Sequence, residues 1–441
     1  MFKLKMRIPT YYSIAQVADI LGMSKETLRR WDRNGKLVPK RHPKNKYRVY
    51  HRSQLEQFEQ AQLLFNSNWD NEVGIKPNEN FTLIELFAGA GGLAIGLENA
   101  GFQSVLLNEI DKNSCATLRK NRPQWNVVEG DIAKVDFTQY KNTIDIISGG
   151  FPCQAFSYAG KRMGFEDTRG TLFFEYARAV KEINPKVIVA ENVKGLLKHD
   201  DGKTLNTMKK IIDELGYDLV EPRVLKAVFY RVPQKRERLL LVAIRKDISE
   251  FVKFNWPAPY KRIMTMEDAL KKGALFNSDV PISSGQKYPE RKVEILSKVP
   301  QGGYWRDLDD DLQREYMGGS YFLGGGKTGM ARRLSWEEPS LTLTTSPAQK
   351  QTERCHPSET RPLTVREYAR IQTFPDKWEF CGPITSQYKQ IGNAVPVNLA
   401  HALGRSLIQL LNDIYQIDSK STPYLDKNIE SNSSRQLELM I

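Results

Sequence analysis

From Phe81 to about Asp247, short apolar runs alternate with longer stretches of helical periodicity. The runs Thr82–Phe87, Ser104–Asn108, Ile144–Ser148, Val187–Ala190 and Leu239–Ile244 read as strands, with helical patterns such as Leu172–Glu182 and Thr204–Glu214 between them. This alternation predicts an α/β domain: a doubly wound, mostly parallel sheet with helices on both faces. Residues 261–360 lose the rhythm. Glycine clusters and aromatics there, among them Gly302-Gly303-Tyr304-Trp305 and Gly324-Gly325-Gly326, predict a smaller irregular lobe. Helical periodicity resumes at Thr364–Thr373 and Pro396–Ile414, so residues 361–418 are expected to return to a main domain begun at residues 81–260. Residues 419–441 are polar and read as a loose tail.

The first 65 residues follow a different pattern. Ser13 is placed to cap a helix whose Ile14, Val17, Ala18 and Leu21 share one face. Gly22 breaks it, Ser24 caps a second helix, and Gly35 ends that one. Two short helices with a three-residue break predict a helix-turn-helix, with Lys25, Thr27, Arg29 and Arg30 as polar contacts of its second helix. Val38–Arg41 and Tyr47–Tyr50 flank Lys44-Asn45-Lys46, a basic hairpin in which Lys46 and Arg48 could touch phosphates. The whole stretch resembles the winged helix-turn-helix domain of MerR-type regulators. Residues 66–80, polar with Gly74 and Pro77, read as a linker.

Charge narrows the partner. Lys and Arg exceed Asp and Glu by 13, and residues 1–70 alone carry 14 basic against 6 acidic residues. Such a surplus favours a polyanion. No stretch approaches the roughly 18 apolar residues of a membrane span, and the amino terminus has no apolar signal core. Nucleic acid in the cytoplasm, on the nucleoid, is therefore the expected partner, with no membrane, and the helix-turn-helix favours double-stranded DNA. Cys115, Cys153, Cys355 and Cys381 form no C-x-x-C pair and the five histidines show no ligand spacing, so no metal is expected.

Leu83–Phe87 runs into Ala88-Gly89-Ala90-Gly91-Gly92-Leu93, a strand entering a glycine-rich turn before a helix. Gly89, Gly91 and Gly92 would let a ligand approach the backbone at the strand's carboxyl end. Glu109, about 20 residues on, can accept ribose hydroxyls. Asp131-Ile132 suits an exocyclic-amine acceptor beside an apolar wall for a purine. NAD and S-adenosylmethionine both remain open from these residues, although the turn lacks the third glycine of a dinucleotide fingerprint.

Cys153 follows the strand Ile144–Ser148 in Gly149-Gly150-Phe151-Pro152-Cys153-Gln154, at the sheet edge that carries the glycine turn. A buried inert thiol and a reactive one are both compatible with that place. The ordered set of Phe87–Gly92, Gly150–Gln154, Glu191-Asn192-Val193, Gln234-Lys235-Arg236-Glu237-Arg238, Arg366–Arg370 and Gln390–Pro396 is more specific. It resembles the motif series of bacterial DNA cytosine-5 methyltransferases over roughly Thr82–Leu411.

The resemblance implies the S-adenosylmethionine-dependent methyltransferase fold and sequence-specific transfer of a methyl group to C5 of a flipped cytosine. Cys153 is then the nucleophile at C6. Glu191 binds N3 and the exocyclic amine, and Arg238 with Arg236 holds O2. Phe87, Gly89, Gly91, Leu93, Glu109, Ile110, Asp131, Ile132, Pro152, Leu172, Asn393 and Val395 would line the cofactor site, with Gly92 in the same turn. Gln154 to Arg169 would be a closing loop in which Gln154, Ser157, Lys161 and Arg162 meet DNA. Residues 261–360 would be the target-recognition lobe, with Lys327, Arg332 and Arg333 as candidate DNA contacts. It implies a restriction-modification system with a cognate endonuclease, and a monomer acting on DNA. Methylation of cytosine in RNA, and a transcription regulator acting mainly through the helix-turn-helix, are the alternatives.

Overall fold

The computed structural model describes residues 9–43, 46–151, 172–325 and 327–421. The hairpin residues Lys44 and Asn45, the segment with Pro152, Cys153, Gln154, Ser157, Lys161 and Arg162, and the tail after Ser421 lie outside the described residues.

The amino-terminal unit opens with strand β1 (Tyr11–Ser13), then helices α1 (Ile14–Leu21) and α2 (Lys25–Arg33), then β2 (Lys40–Arg41) and β3 (Arg48–His51). Ser13 accepts from Gln16 N while Gln16 reaches back to Ser13 N, a reciprocal cap. Gly22, at φ +69°, ends α1, and Ser24 accepts from Thr27 N to start α2. β3 pairs antiparallel with both β1 and β2, so the expected wing is a real sheet.

Eight strands build the central sheet: β4 (Thr82–Leu86), β5 (Gln103–Glu109), β6 (Val127–Glu129), β7 (Ile146–Gly149), β8 (Val187–Val193), β9 (Tyr217–Leu219), β10 (Arg223–Lys226) and β12 (Glu237–Arg245). Their order is β10-β12-β8-β7-β4-β5-β6, with β9 also on β12. β4 to β8 run parallel; β12 is antiparallel to β8, β9 and β10. Alternate side chains serve opposite faces. Leu83, Ile146, Val187 and Val242 pack with the helix Val397–Ser421, while Ile84, Ile147, Ile188 and Leu241 pack with the helices Leu172–Ile183 and Lys203–Glu214. The sheet is thus covered on both sides, as its apolar alternation requires.

The irregular lobe has a core of its own, centred on Leu296, Trp305, Met317 and Ala331. Its sequence range is not wholly separate, because Met266, Leu270, Leu334 and Leu343 pack with Leu363 and Tyr368 of the returning segment. The join is a parallel pair, β11 (Gln234–Lys235) with β13 (Ser340–Leu341). Gly392 lies hard against it: a Cβ there would sit 2.0 Å from Thr344 O. Gly392→Ala is therefore expected to cost about 1–3 kcal/mol, read as a lowered thermal midpoint. An unchanged midpoint would show that this backbone contact can relax freely.

The stretch 66–80 is pinned as well. Trp69 is buried in the main core and Arg405 stacks on it at 4.2 Å.

Candidate active site

Three loops at the carboxyl edge of the sheet form the first half of the site. After β4, Phe87 adopts φ +57° and Gly89 φ +55°. A side chain on Gly89 would meet nothing within 4 Å, so this is the open part of the turn. Gly91 and Gly92 are in addition required by packing. A Cβ on Gly91 would lie 2.8 Å from Leu118, and one on Gly92 2.3 Å from Val395 O.

Glu109, at the end of β5, stitches two loops together. Its Oε2 accepts from Gly89 N at 2.7 Å, and its Oε1 accepts from Ile110 N and Asp111 N, each at 2.8 Å. Asn108 donates to Val128 O and Gly130 O, which ties in the loop after β6. Beside this frame Ile110 is 68% exposed, although it is a large apolar residue. Asp131 is exposed and accepts from Ala133 N through Oδ1. Phe87 is half-buried, edge-on to Phe151 at 6.5 Å. An open glycine, an unburied apolar wall and free carboxylate capacity fit a nucleoside-bearing cofactor. Ile132 departs from expectation: its side chain is buried in the core around Phe137 and Phe173, so it supports the wall from behind. Leu93 and Val395 are also core residues, Leu172 is half-buried against the core, and Asn393 is exposed.

The second half lies at the ends of β7 and β8. Arg238 Nε comes within 2.5 Å of Glu191 Oε1, with both side chains nearly buried. The approach is off the line of a hydrogen bond, so that oxygen has no donor. A Cβ on Gly150 would sit 2.9 Å from Glu191 Oε2, so a side chain there would make the carboxylate shift. Asn192, buried, donates to Phe151 O at 2.9 Å. The backbone leading to Cys153 is therefore held by the residue after Glu191 and grazed by Glu191 itself. Sequence reasoning quoted Asn192 but gave it no role; its side-by-side place with Glu191 was the available signal.

Arg236 does not join Arg238. Its buried guanidinium donates to Leu343 O, Gly392 O and Asn393 O at 3.0–3.2 Å, which corrects the expected contact with a base. Burial, reinforced by the Arg238 charge, pushes its pKa down. Gln234 extends this clamp, accepting from Leu343 N and donating to Gln372, which in turn donates to Ile391 O. Arginine is suited here because one planar fork reaches several carbonyls. The cost of burying it is offset by those bonds.

Several expected DNA contacts are committed inside the protein. Arg333 is buried and donates to the carbonyls of Leu296, Val299, His356 and Glu359. Lys327 donates to Ser320 O and Leu323 O, and Lys25 lies 2.5 Å from Glu338. Arg332 is half-buried over Tyr304. Thr27 pairs with Ser24, Arg29 with Glu26, and Arg48 with Asp32; Arg30 and Lys46 are exposed.

Burial pushes the Cys115 thiol up to about 12 and Cys355 to about 11, so neither offers a thiolate at neutral pH. Among the described residues no cluster suited to a metal ion occurs, and no helix is long and apolar enough to cross a membrane.

Comparison with known proteins decides the family. Residues 81–409 match the family described as C-5 cytosine-specific DNA methylase. The chain belongs to that family. It is a type II DNA (cytosine-5-)-methyltransferase of a restriction-modification system, and this family uses S-adenosyl-L-methionine. Residues 12–71 match the MerR HTH family regulatory proteins. The chain is 68% identical to the type II methyltransferase M.Eco47II of Escherichia coli over 91% of its length and 96% of the relative's. It is 60% identical to M.PspPI of Psychrobacter sp. over 92% and 98%. A solved E. coli prophage-encoded protein, assigned as a DNA modification methyltransferase, matches 76% of this chain with all of its own, at TM-score 0.55 and 26% identity. The Dnmt2 methyltransferase of S. pombe shares the fold at TM-score 0.52 and 16% identity over 76% of this chain.

One buried group beneath the methyltransferase's glycine turn carries a pH signature. Glu85, on β4 two residues before Phe87, is fully buried, and burial pushes its carboxyl up to about 8. The folded state then holds a proton that the unfolded state releases above pH ~4.5, so Glu85 lowers stability as pH rises from there towards 8. Relative to Glu85→Gln, the wild type is expected to lose up to about 1.4 kcal/mol per pH unit across that window. Parallel stability–pH curves for the two proteins would contradict it.

Proposed function

We propose that this methyltransferase acts through a covalent adduct of Cys153 with C6 of a cytosine turned out of the duplex, at a cost of roughly a few kcal/mol. The Cys153 Sγ–C6 bond forms as the C5–C6 π pair moves onto C5, making C5 nucleophilic. Glu191 holds N3 and the exocyclic amine, so that charge drawn into the ring is stabilised as C6 is attacked. Arg238 keeps Glu191 in place and presents its remaining donors to O2. When bound, S-adenosylmethionine would supply an electrophilic methyl group to C5, its sulfonium S–CH3 bond breaking and S-adenosylhomocysteine departing with the electron pair. Water then removes the C5 proton, the C5–C6 double bond re-forms, and Cys153 leaves as thiolate.

Phe87, Gly89, Glu109, Ile110, Asp131 and Asn393 would hold the cofactor beside this centre. Pro152, Gln154, Ser157, Lys161 and Arg162 belong to the segment proposed to close over the duplex and exclude water. A cognate endonuclease cutting the same sequence is the proposed biological partner, in the bacterial cytoplasm.

The observation that carries the reading is the Glu191–Arg238 pair set against Gly150 and Phe151, the approach to Cys153. Bisulfite sequencing of DNA from cells expressing the protein tests it. Protected cytosines within one recurring sequence are expected. Uniform conversion of all cytosines would overturn the reading.

A further inference from the structure

The helix-turn-helix does not hang free of the catalytic domain. Val228 and Ile263 share one core with Val17, Leu21 and Leu28 of the amino-terminal unit. Asp19 of α1 pairs with Lys235 at 3.0 Å, and Lys25, first residue of α2, pairs with Glu338 at 2.5 Å. Glu338 also lies 3.9 Å from Lys235, so one acid joins the recognition helix to β11, which immediately precedes Arg236. These acids are well shielded, and Lys25 and Lys235 together hold Glu338 below the usual carboxylate range despite its burial. The Lys226 side chain also reaches the seam: a Cβ on Gly22 would meet its Nζ at 2.7 Å.

The docking places the turn of the motif at the rim of the active site. A cavity of about 480 Å³ lies between them, with Asp19, Gly22 and Met23 on one wall and Val193, Lys194 and Arg238 on the other. Meanwhile the outer face of α2 presents exposed Arg29, Arg30 and Arg33, and the wing presents Lys40, Arg41 and Lys46. Arg29 and Arg33 both pair with the exposed Glu26. Such exposed pairs are worth little, and a phosphate can replace them.

We propose that the helix-turn-helix and the catalytic cleft hold one continuous duplex. The amino-terminal unit takes the DNA flanking the target cytosine on a single side, through Arg29, Arg30, Arg33 and the wing. Lys25 has a different task, anchoring α2 to Glu338. A unit fastened this rigidly presents its basic face at a set distance and angle from Glu191 and Arg238, so flanking DNA of adequate length engages both. The proposal rests on the chain being a methyltransferase of duplex DNA, which activity on a short duplex tests separately.

The experiment uses the full chain and duplexes bearing one methylated site mapped by bisulfite sequencing. Flanks are short on both sides, or extended by about 15 base pairs on the left, the right or both. Extension on one side only is expected to lower Kd at least tenfold and to steepen the salt dependence by about 2–3 counter-ions. In Arg29→Glu/Arg30→Glu/Arg33→Glu, with exposed positions that leave the core intact, the ratio of long- to short-duplex affinity should fall towards one. Equal affinity of the wild type for all four duplexes would overturn the proposal, as would a flank effect that the triple variant retains. Absence of methylation on every duplex would instead remove the enzymatic reading beneath it.

Discussion

Cys153→Ser is expected to abolish methyl transfer, with turnover at least about 10³-fold lower, while duplex binding persists. A thiolate is accessible near neutral pH and adds readily to an electron-poor ring carbon; a serine hydroxyl ionises far too weakly. Cys153 itself is expected to contribute little to holding the duplex, since such affinity comes mainly from phosphate contacts. Single-turnover transfer of labelled methyl groups, beside a gel-shift titration, separates the two quantities. Retained turnover would move the nucleophile elsewhere, and neither Cys115 nor Cys355 could take the role, since burial keeps both thiols protonated.

Glu191→Gln is expected to lower kcat by about 10²–10⁴ with a much smaller change in KM. The side chain keeps its size beside Gly150, where there is no room for a larger group. What it loses is the charge that balances Arg238 and the ability to share a proton with N3 as C6 is attacked. Arg238 would then stand nearly buried without a counter-charge, so some loss of stability should accompany the kinetic effect. Thermal unfolding of the same variant measures that part. A raised KM with unchanged kcat would reduce Glu191 to a binding residue.

The two predictions differ in how they became legible. Glu191 and Cys153 are adjacent to strands with unmistakable apolar patterns, and parallel strands place their carboxyl ends at one edge. The ordered motifs then named the chemistry. Glu109 was also readable as a strand-end carboxylate, and Ile110 N and Asp111 N are its own neighbours, but its bond from Gly89 N was not, since that donor lies in a loop that meets it only in the folded chain. Arg236 and Arg333 show the main failure. Arg236 was assigned by its motif and Arg333 by its place in the recognition lobe, and neither signal reports what a side chain touches. Both are instead buried among main-chain carbonyls that no local pattern announces.

The sequence by itself determined the alternation of the sheet, the caps of α1 and α2, and the family, and it named the side chains proposed to react. Each of these depends on near neighbours or on motif order, which a linear reading preserves. Only the tertiary structure decided that Asn192 holds the approach to Cys153, that Arg236 clamps the returning segment, and that the helix-turn-helix is fastened by Asp19 and Lys25 to the rim of the site. Those contacts join residues far apart in the chain. The free energy that selects them is set by burial and charge pairing in three dimensions.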